Sequence, residues 1–173
     1  MSLAHDGHHQ KSRPQNISHN HLILRAIFVI RGEPLSTDDA CERTIKLRRD
    51  ELIATKKLYE TVMTFAAHGL FYRTGRLIGE RIAKQIGTDV DNLKAYLIEE
   101  GWALDIDFEG DTVIAKGVIE VVESDVPTCH MLRGLLSKFF EEKIGRDVYC
   151  HERNCQSKGD EYCVFSLDAE MVK

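Results

Sequence analysis

Near Gly101 the apolar pattern of this chain changes period, from helical spacing to strict alternation, and few architectures accommodate that order. Upstream, a helical pattern starts at Ser36 or Thr37, with Thr37 and Asp38 as caps, and runs to His68. Its apolar positions include Leu52, Leu58, Val62, Met63, Phe65 and Ala66, and Gly69 is read as its interruption. The stretch LFYRTGRLIGERIAKQIG (70–87) is a second amphipathic helix with a stripe of Phe71, Leu77, Ile78, Ile82 and Ile86. Gly75 and Gly79, four apart, let one face of it approach a neighbouring backbone or a ligand very closely. TDVDNLKAYLIEEG (88–101) is a third helix, with an acidic start and a glycine stop.

Downstream, WALDIDFE (102–109) puts Trp102, Leu104, Ile106 and Phe108 on one face and Asp105 and Asp107 on the other, as a half-buried strand does. A Glu109-Gly110-Asp111 turn leads into TVIAKGVIEVVES as the hairpin partner. Pro127 suits the first turn of a further helix, which carries Met131, Leu132, Leu135, Leu136, Phe139 and Phe140 and closes at Gly145. DVYCHE (147–152) and EYCVFSLD (161–168) are two more strands. The segregated order, long helices and then strands around one helix, predicts an α+β fold with helices packed on an antiparallel sheet.

Ahead of the helices, LILRAIFVI (22–30) is apolar but broken by Arg25 and far shorter than the roughly 20 residues a membrane span needs, so it is read as a buried strand. Residues 1–20 lack apolar periodicity and are read as a disordered tail, with 21–173 as a single domain. In that region His5, His8, His9, His19 and His21 could bind a transition metal loosely, the alternative being a solvated segment. A net charge of −5 does not favour a general nucleic-acid or anionic-membrane surface. No secretory signal is visible, so the expected compartment is the cytosol, where structural disulfides are rare. Five cysteines is moreover an odd number.

Three of the five fall within CHERNCQSKGDEYC (150–163). Alternation puts Val148, Cys150 and Glu152 on one face of the first strand and Cys163, Phe165 and Leu167 on one face of the second. The hairpin can then bring Glu152 close to Cys163, with Cys155 on the connection. The best fourth ligand is Cys129 at the start of the preceding helix, where a helix N-terminus favours a thiolate. Three thiolates and a carboxylate make a closed tetrahedral set suited to structural zinc, with no open position for an activated water. The alternative is that these are small buried hydrophobes. Cys150 and Cys41 are read as packed thiols, and His130 and His151 as bystanders that could replace Glu152.

The same residues carry a family resemblance. The Cys129 helix start followed by VYCHERNCQSKGDEYCVFSL, with Glu152, Cys155, Gly159, Asp160 and Cys163, resembles the vinyl-4-reductase-type domain. That small-molecule-binding module occurs in aromatic-sensing bacterial activators and a bacteriochlorophyll-biosynthesis protein, and is related in fold to TRAPP trafficking subunits. The helix AAHGLFYRTGRLIGERIAK (66–84) also resembles the family. Cys150 is an extra thiol relative to it. The resemblance implies zinc on Cys129, Glu152, Cys155 and Cys163, a homodimer, and a pocket between helices and sheet for a hydrocarbon or aromatic ligand.

Candidates for the pocket lining are Phe71, Tyr72, Trp102, Phe108 and Phe139, with His68 as a polar anchor; the alternative for each is ordinary core. The sequence given carries neither the ATPase nor the DNA-binding domain of the sensor proteins, so transcriptional activation by this chain alone is not expected. Three functions remain open. One is a non-catalytic binding domain that signals to a regulatory partner. The second is an enzyme or accessory in tetrapyrrole 4-vinyl reduction, which would need a separate reductase because the sequence shows no dinucleotide, flavin or cluster signature. The last is an interaction subunit without a ligand.

Overall fold

The computed structural model describes residues 45–169, and those from Lys46 onward belong to one compact unit. The strand expected at 22–30, the helix start at Thr37 and Asp38, Cys41 and the histidine-bearing residues 1–21 lie outside the described residues.

Three helices come first: α1 (Arg49–Met63), α2 (Phe65–Ile86) and α3 (Val90–Glu99). Residues 45–48 are not helical, so a continuous helix from Thr37 to His68 does not form. The break falls at Thr64, with φ 50° and ψ −130°, rather than at Gly69. Gly69 sits inside α2, where a glycine costs only about 1 kcal/mol of helix propensity and is tolerated in so long an element. Across the break α1 folds back on α2, with the rings of Tyr59 and Phe71 edge to face at 6.1 Å. The start of α3 is as expected: Asp89 accepts from the Asp91 and Asn92 N–H groups at 2.9 and 3.1 Å.

The sheet comprises β1 (Asp105–Glu109), β2 (Thr112–Lys116), β3 (Val148–Asn154) and β4 (Cys163–Ala169), in the order β1-β2-β4-β3 with every pair antiparallel. β1 is shorter than expected. Trp102 and Leu104 precede it, and Leu104 is 80% exposed, lying over Gly117 instead of facing the core. β2 also stops early, because Gly117 (φ 63°) turns the chain off the sheet into a segment that runs to Cys129. Helix α4 (His130–Ile144) follows; Pro127 lies ahead of it rather than in its first turn, and Gly145 ends it in the left-handed conformation.

One face of the sheet, carrying Ile106, Val113, Ala115, Val148, Cys150, Cys163, Phe165 and Leu167, is buried. Leu132, Leu135, Leu136, Phe139 and Phe140 of α4 complete the core with Ile82, Leu93 and Leu97. Helix α2 lies against α4, and the paired glycines set their separation. A Cβ built on Gly75 would stand 1.9 Å from Met131 O, and one on Gly79 2.4 Å from Leu135 O. From the opposite side, a Cβ on Gly134 would stand 2.0 Å from Tyr72 O. The two backbones therefore touch, as the sequence spacing allowed.

Candidate metal centre and its surroundings

The four residues singled out by the sequence come together. One ligand atom from each of Cys129, Glu152, Cys155 and Cys163 lies within 4.8 Å of all the others, and the three cysteines are fully buried. Each comes from a different local structure. Cys129 is the N-cap residue of α4, Glu152 is on β3 where a register shift follows it, Cys155 opens the connecting 3-10 turn (Gln156–Lys158), and Cys163 begins β4. Backbone groups fix the loop. Cys155 N–H donates to Asp160 Oδ2 at 2.8 Å, Asn154 Nδ2 donates to the other Asp160 oxygen at 3.3 Å, and Gln156 N–H points at Cys163 Sγ at 3.4 Å. On the helix side Cys129 N–H donates to Glu152 Oε2 at 3.3 Å.

The sulfur spacing excludes disulfides and fits a shared cation. Cys129 Sγ stands 4.0 Å from Cys155 Sγ and 3.7 Å from Cys163 Sγ, far beyond the roughly 2.05 Å of a bonded pair. Thiolates bound at about 2.3 Å to one tetrahedral zinc would be about 3.8 Å apart. Glu152 Oε1 is buried with no hydrogen-bond partner, an orphaned acceptor facing the same cluster.

Electrostatics point the same way. Contacts with Cys129 and Cys163 push the Cys155 thiol strongly down, so the cluster holds a thiolate. Cys129 is correspondingly pushed up by its contacts with Cys155 and Cys163 and by burial. Cys163 is drawn down by Cys129 but pushed up more by Cys155 and burial, to about 12. Burial raises the Glu152 carboxyl to about 8, with Cys155 adding to it. Three thiols and an acid thus crowd more acceptor capacity into a buried site than protons alone satisfy, and a divalent cation would replace those protons.

Sequence reasoning missed the group that anchors this centre to the rest of the fold. Glu120, fully buried, accepts from the Met131 and Leu132 N–H groups at 3.0 and 2.7 Å, capping α4 from well upstream in the chain. Lys56 of α1, 4% exposed, donates to Glu120 Oε1 at 2.6 Å and to Thr128 O at 2.7 Å. Thr128 donates to Glu120 O at 3.1 Å, and its hydroxyl also meets that of Ser157 in the cysteine loop. The available signal was a lone acid inside the apolar run VIEVVE.

His130 is not a member of the metal cluster. Its ring is buried, stacks on His68 at 4.2 Å, and has neither nitrogen hydrogen-bonded; burial, then His68 and Lys56, lower its pKa to about 3. His151 is exposed, 3.5 Å from Asp168. Cys150 is buried on the helix-facing side of β3, where burial pushes its thiol up.

The proposed pocket residues fall into two groups. On α2, His68 lies 3.7 Å from Glu60, Phe71 packs beneath the Lys56 ammonium, and the Tyr72 hydroxyl donates to Ser137 Oγ at 2.9 Å. On the sheet side, Phe108 and Phe139 both contact Phe140, and Trp102 packs on the edge of the core. Of the six, Tyr72 lines an open cleft of about 470 Å³ between α2, α4 and β3.

Residues 117–169, which include all four candidate ligands, match the vinyl-4-reductase domain family. The fold resembles the phenol-responsive sensory domain of the transcription activator PoxR, solved with phenol, at TM-score 0.63 and 21% identity over 74% of this chain and 77% of that one. It also resembles a vinyl-4-reductase family protein from Methanocaldococcus jannaschii, at TM-score 0.56 and 15% identity over 91% of this chain and 100% of that one. Among proteins of curated function, none matches the chain. No helix among the described residues is long and apolar enough to cross a membrane.

Proposed function

With residues 117–169 a vinyl-4-reductase-type domain, we propose that this protein is a zinc-stabilised binding domain for a hydrophobic small molecule, hydrocarbon or aromatic, that reports occupancy to a protein partner. The observation that carries the reading is the buried Cys129/Glu152/Cys155/Cys163 cage lying inside the family match. Likeness in fold to a phenol-responsive sensory domain supports the ligand class. Zinc would join the start of α4 to the β3–β4 hairpin, and its binding energy would then count as folding energy. All four positions are filled by protein, which suits a structural ion and leaves the small molecule to the helices and sheet. In this reading the chain works as a cytosolic homodimer, and the ligand contacts come from among His68, Phe71, Tyr72, Trp102, Phe108 and Phe139.

Mass spectrometry of one purified sample, native and then denatured, tests this. About one zinc per chain, a dimeric mass and a retained organic molecule are the expected results. Protein purified without chelator and free of metal would refute the cage. Zinc-loaded protein that neither retains nor takes up any small molecule would favour an interaction subunit instead.

A further inference from the structure

The cleft between α2, α4 and β3 contains a cation that the protein leaves unsatisfied. Arg76 is committed: it donates to Ser137 Oγ at 3.0 Å and to Glu141 Oε2 at 2.8 Å, while Glu141 also accepts from Lys138 at 2.6 Å. Arg133 is not. Its guanidinium lies over the Tyr72 ring at 5.3 Å, and its Nε is buried without a hydrogen-bond partner. Among the described residues no carboxylate pairs with it. Arg133 and Glu141 are eight residues apart on α4, about 12 Å along the axis, so the acid at one end of the cleft does not neutralise the base at the other.

The floor of the cleft adds a donor. β3 is an edge strand. Ser137 Oγ donates to Val148 O at 2.6 Å, so Val148 turns its backbone polar groups away from β4 and toward the helices. Alternation sends the N–H and C=O of Cys150 the same way. Consistently, Leu167, the partner of Cys150 in the register, donates its N–H to Asp111 O on the β2 side at 2.8 Å. The cleft therefore presents a guanidinium, the Cys150 N–H and the apolar surface of Val148, Cys150 and Tyr72 together.

We propose that this cleft binds the carboxylate of a small organic acid, its two oxygens on the Arg133 guanidinium and the Cys150 N–H and its apolar body along Val148 and the Tyr72 ring. The inference rests on the small-molecule-binding reading and narrows it to a singly charged acid. One unpaired guanidinium matches one carboxylate, and a bidentate charge-assisted contact separates it from a neutral isostere. The volume lies within the few-hundred-Å³ range of small-molecule sites.

Calorimetric titration of the full chain with benzoate, its amide benzamide, and phenol tests the proposal, alongside Arg133→Met and Arg133→Lys. Benzoate should bind at least about tenfold more tightly than benzamide or phenol. Arg133→Met should erase that preference while metal content and circular dichroism stay unchanged, and Arg133→Lys should restore part of it. Equal binding of benzoate and benzamide, or a preference that survives Arg133→Met, overturns the carboxylate site. Tight binding of phenol with no response to benzoate overturns it too, yet leaves the sensor reading standing. Strand addition of an acidic peptide along β3, in place of small acids, would count against both.

Discussion

Replacing Gly79 with alanine should destabilise the protein even though alanine is the better helix former. The added methyl carbon would sit 2.4 Å from Leu135 O and 3.1 Å from the Leu135 carbonyl carbon and Cα, all backbone atoms of α4 that no rotamer change can move. Relief requires α2 and α4 to separate by about 1 Å, and a radial gap of that size forfeits a quarter to a half of each dispersion contact along the seam. Overpacking of this kind costs about 1–3 kcal/mol, against a gain of about 1 kcal/mol in helix propensity. The net expectation is a loss of about 1–2 kcal/mol for Gly79→Ala. Gly75→Ala should lose more, since its methyl would meet Met131 O at 1.9 Å. Gly69→Ala is the control. It lies in the same helix, is exposed, and has nothing within 4 Å, so it should gain about 0.5–1 kcal/mol. Urea unfolding followed by circular dichroism reads all three as shifts in midpoint at constant slope. If Gly75→Ala and Gly79→Ala proved as stable as the parent, α2 and α4 would not be in backbone contact, and the description of the seam would be wrong.

Cys155→Ser should abolish metal retention by elemental analysis and lower the melting temperature, whereas Cys150→Ser should leave metal content intact; equal metal in both variants would remove Cys155 from the site. Lys56→Met strands the fully buried Glu120 and should cost about 3–5 kcal/mol in denaturant unfolding, with the double variant Lys56→Met, Glu120→Gln recovering part of the loss. Glu141 is desolvated, which raises its pKa, but Lys138 and Arg76 outweigh this and hold it below the usual carboxylate range. Its stabilisation is therefore present above the unfolded-state value of about 4.3 and lost as pH falls through the lower folded-state value. Glu141→Gln should flatten that acid limb, and an unchanged stability–pH slope would count against the pairing.

What the sequence made legible was set by range. Alternation and helical stripes are local, so the α+β class, helix α3 and the four strands could be read before any contact was known. The cysteine cage was legible for a related reason. Three of its members lie within one hairpin whose two-residue period fixes which side chains share a face, and the fourth is the N-cap of the helix immediately before it. The glycine seam was half legible, since the Gly75–Gly79 spacing announced a close approach without naming Met131 and Leu135 as what is approached.

Where the reading failed, a distant partner had outweighed a local preference. Glycine is the expected helix breaker, yet Gly69 is helical and the break falls on Thr64, a β-branched residue at φ 50°. Such a conformation persists only where surrounding contacts over-determine it. Here the break lets α1 fold back so that Tyr59 meets Phe71 and Lys56 reaches Glu120, 64 residues away. Glu120 in turn caps α4 in place of any Ser, Thr, Asn or Asp side chain, and local capping rules cannot find such a cap. The strained turn, the buried ion pair and the first turn of α4 are thus successive parts of one linkage. It ends at Thr128, adjacent to Cys129, so the position of the candidate metal ligand depends on α1 as well as on the hairpin that supplies the other three.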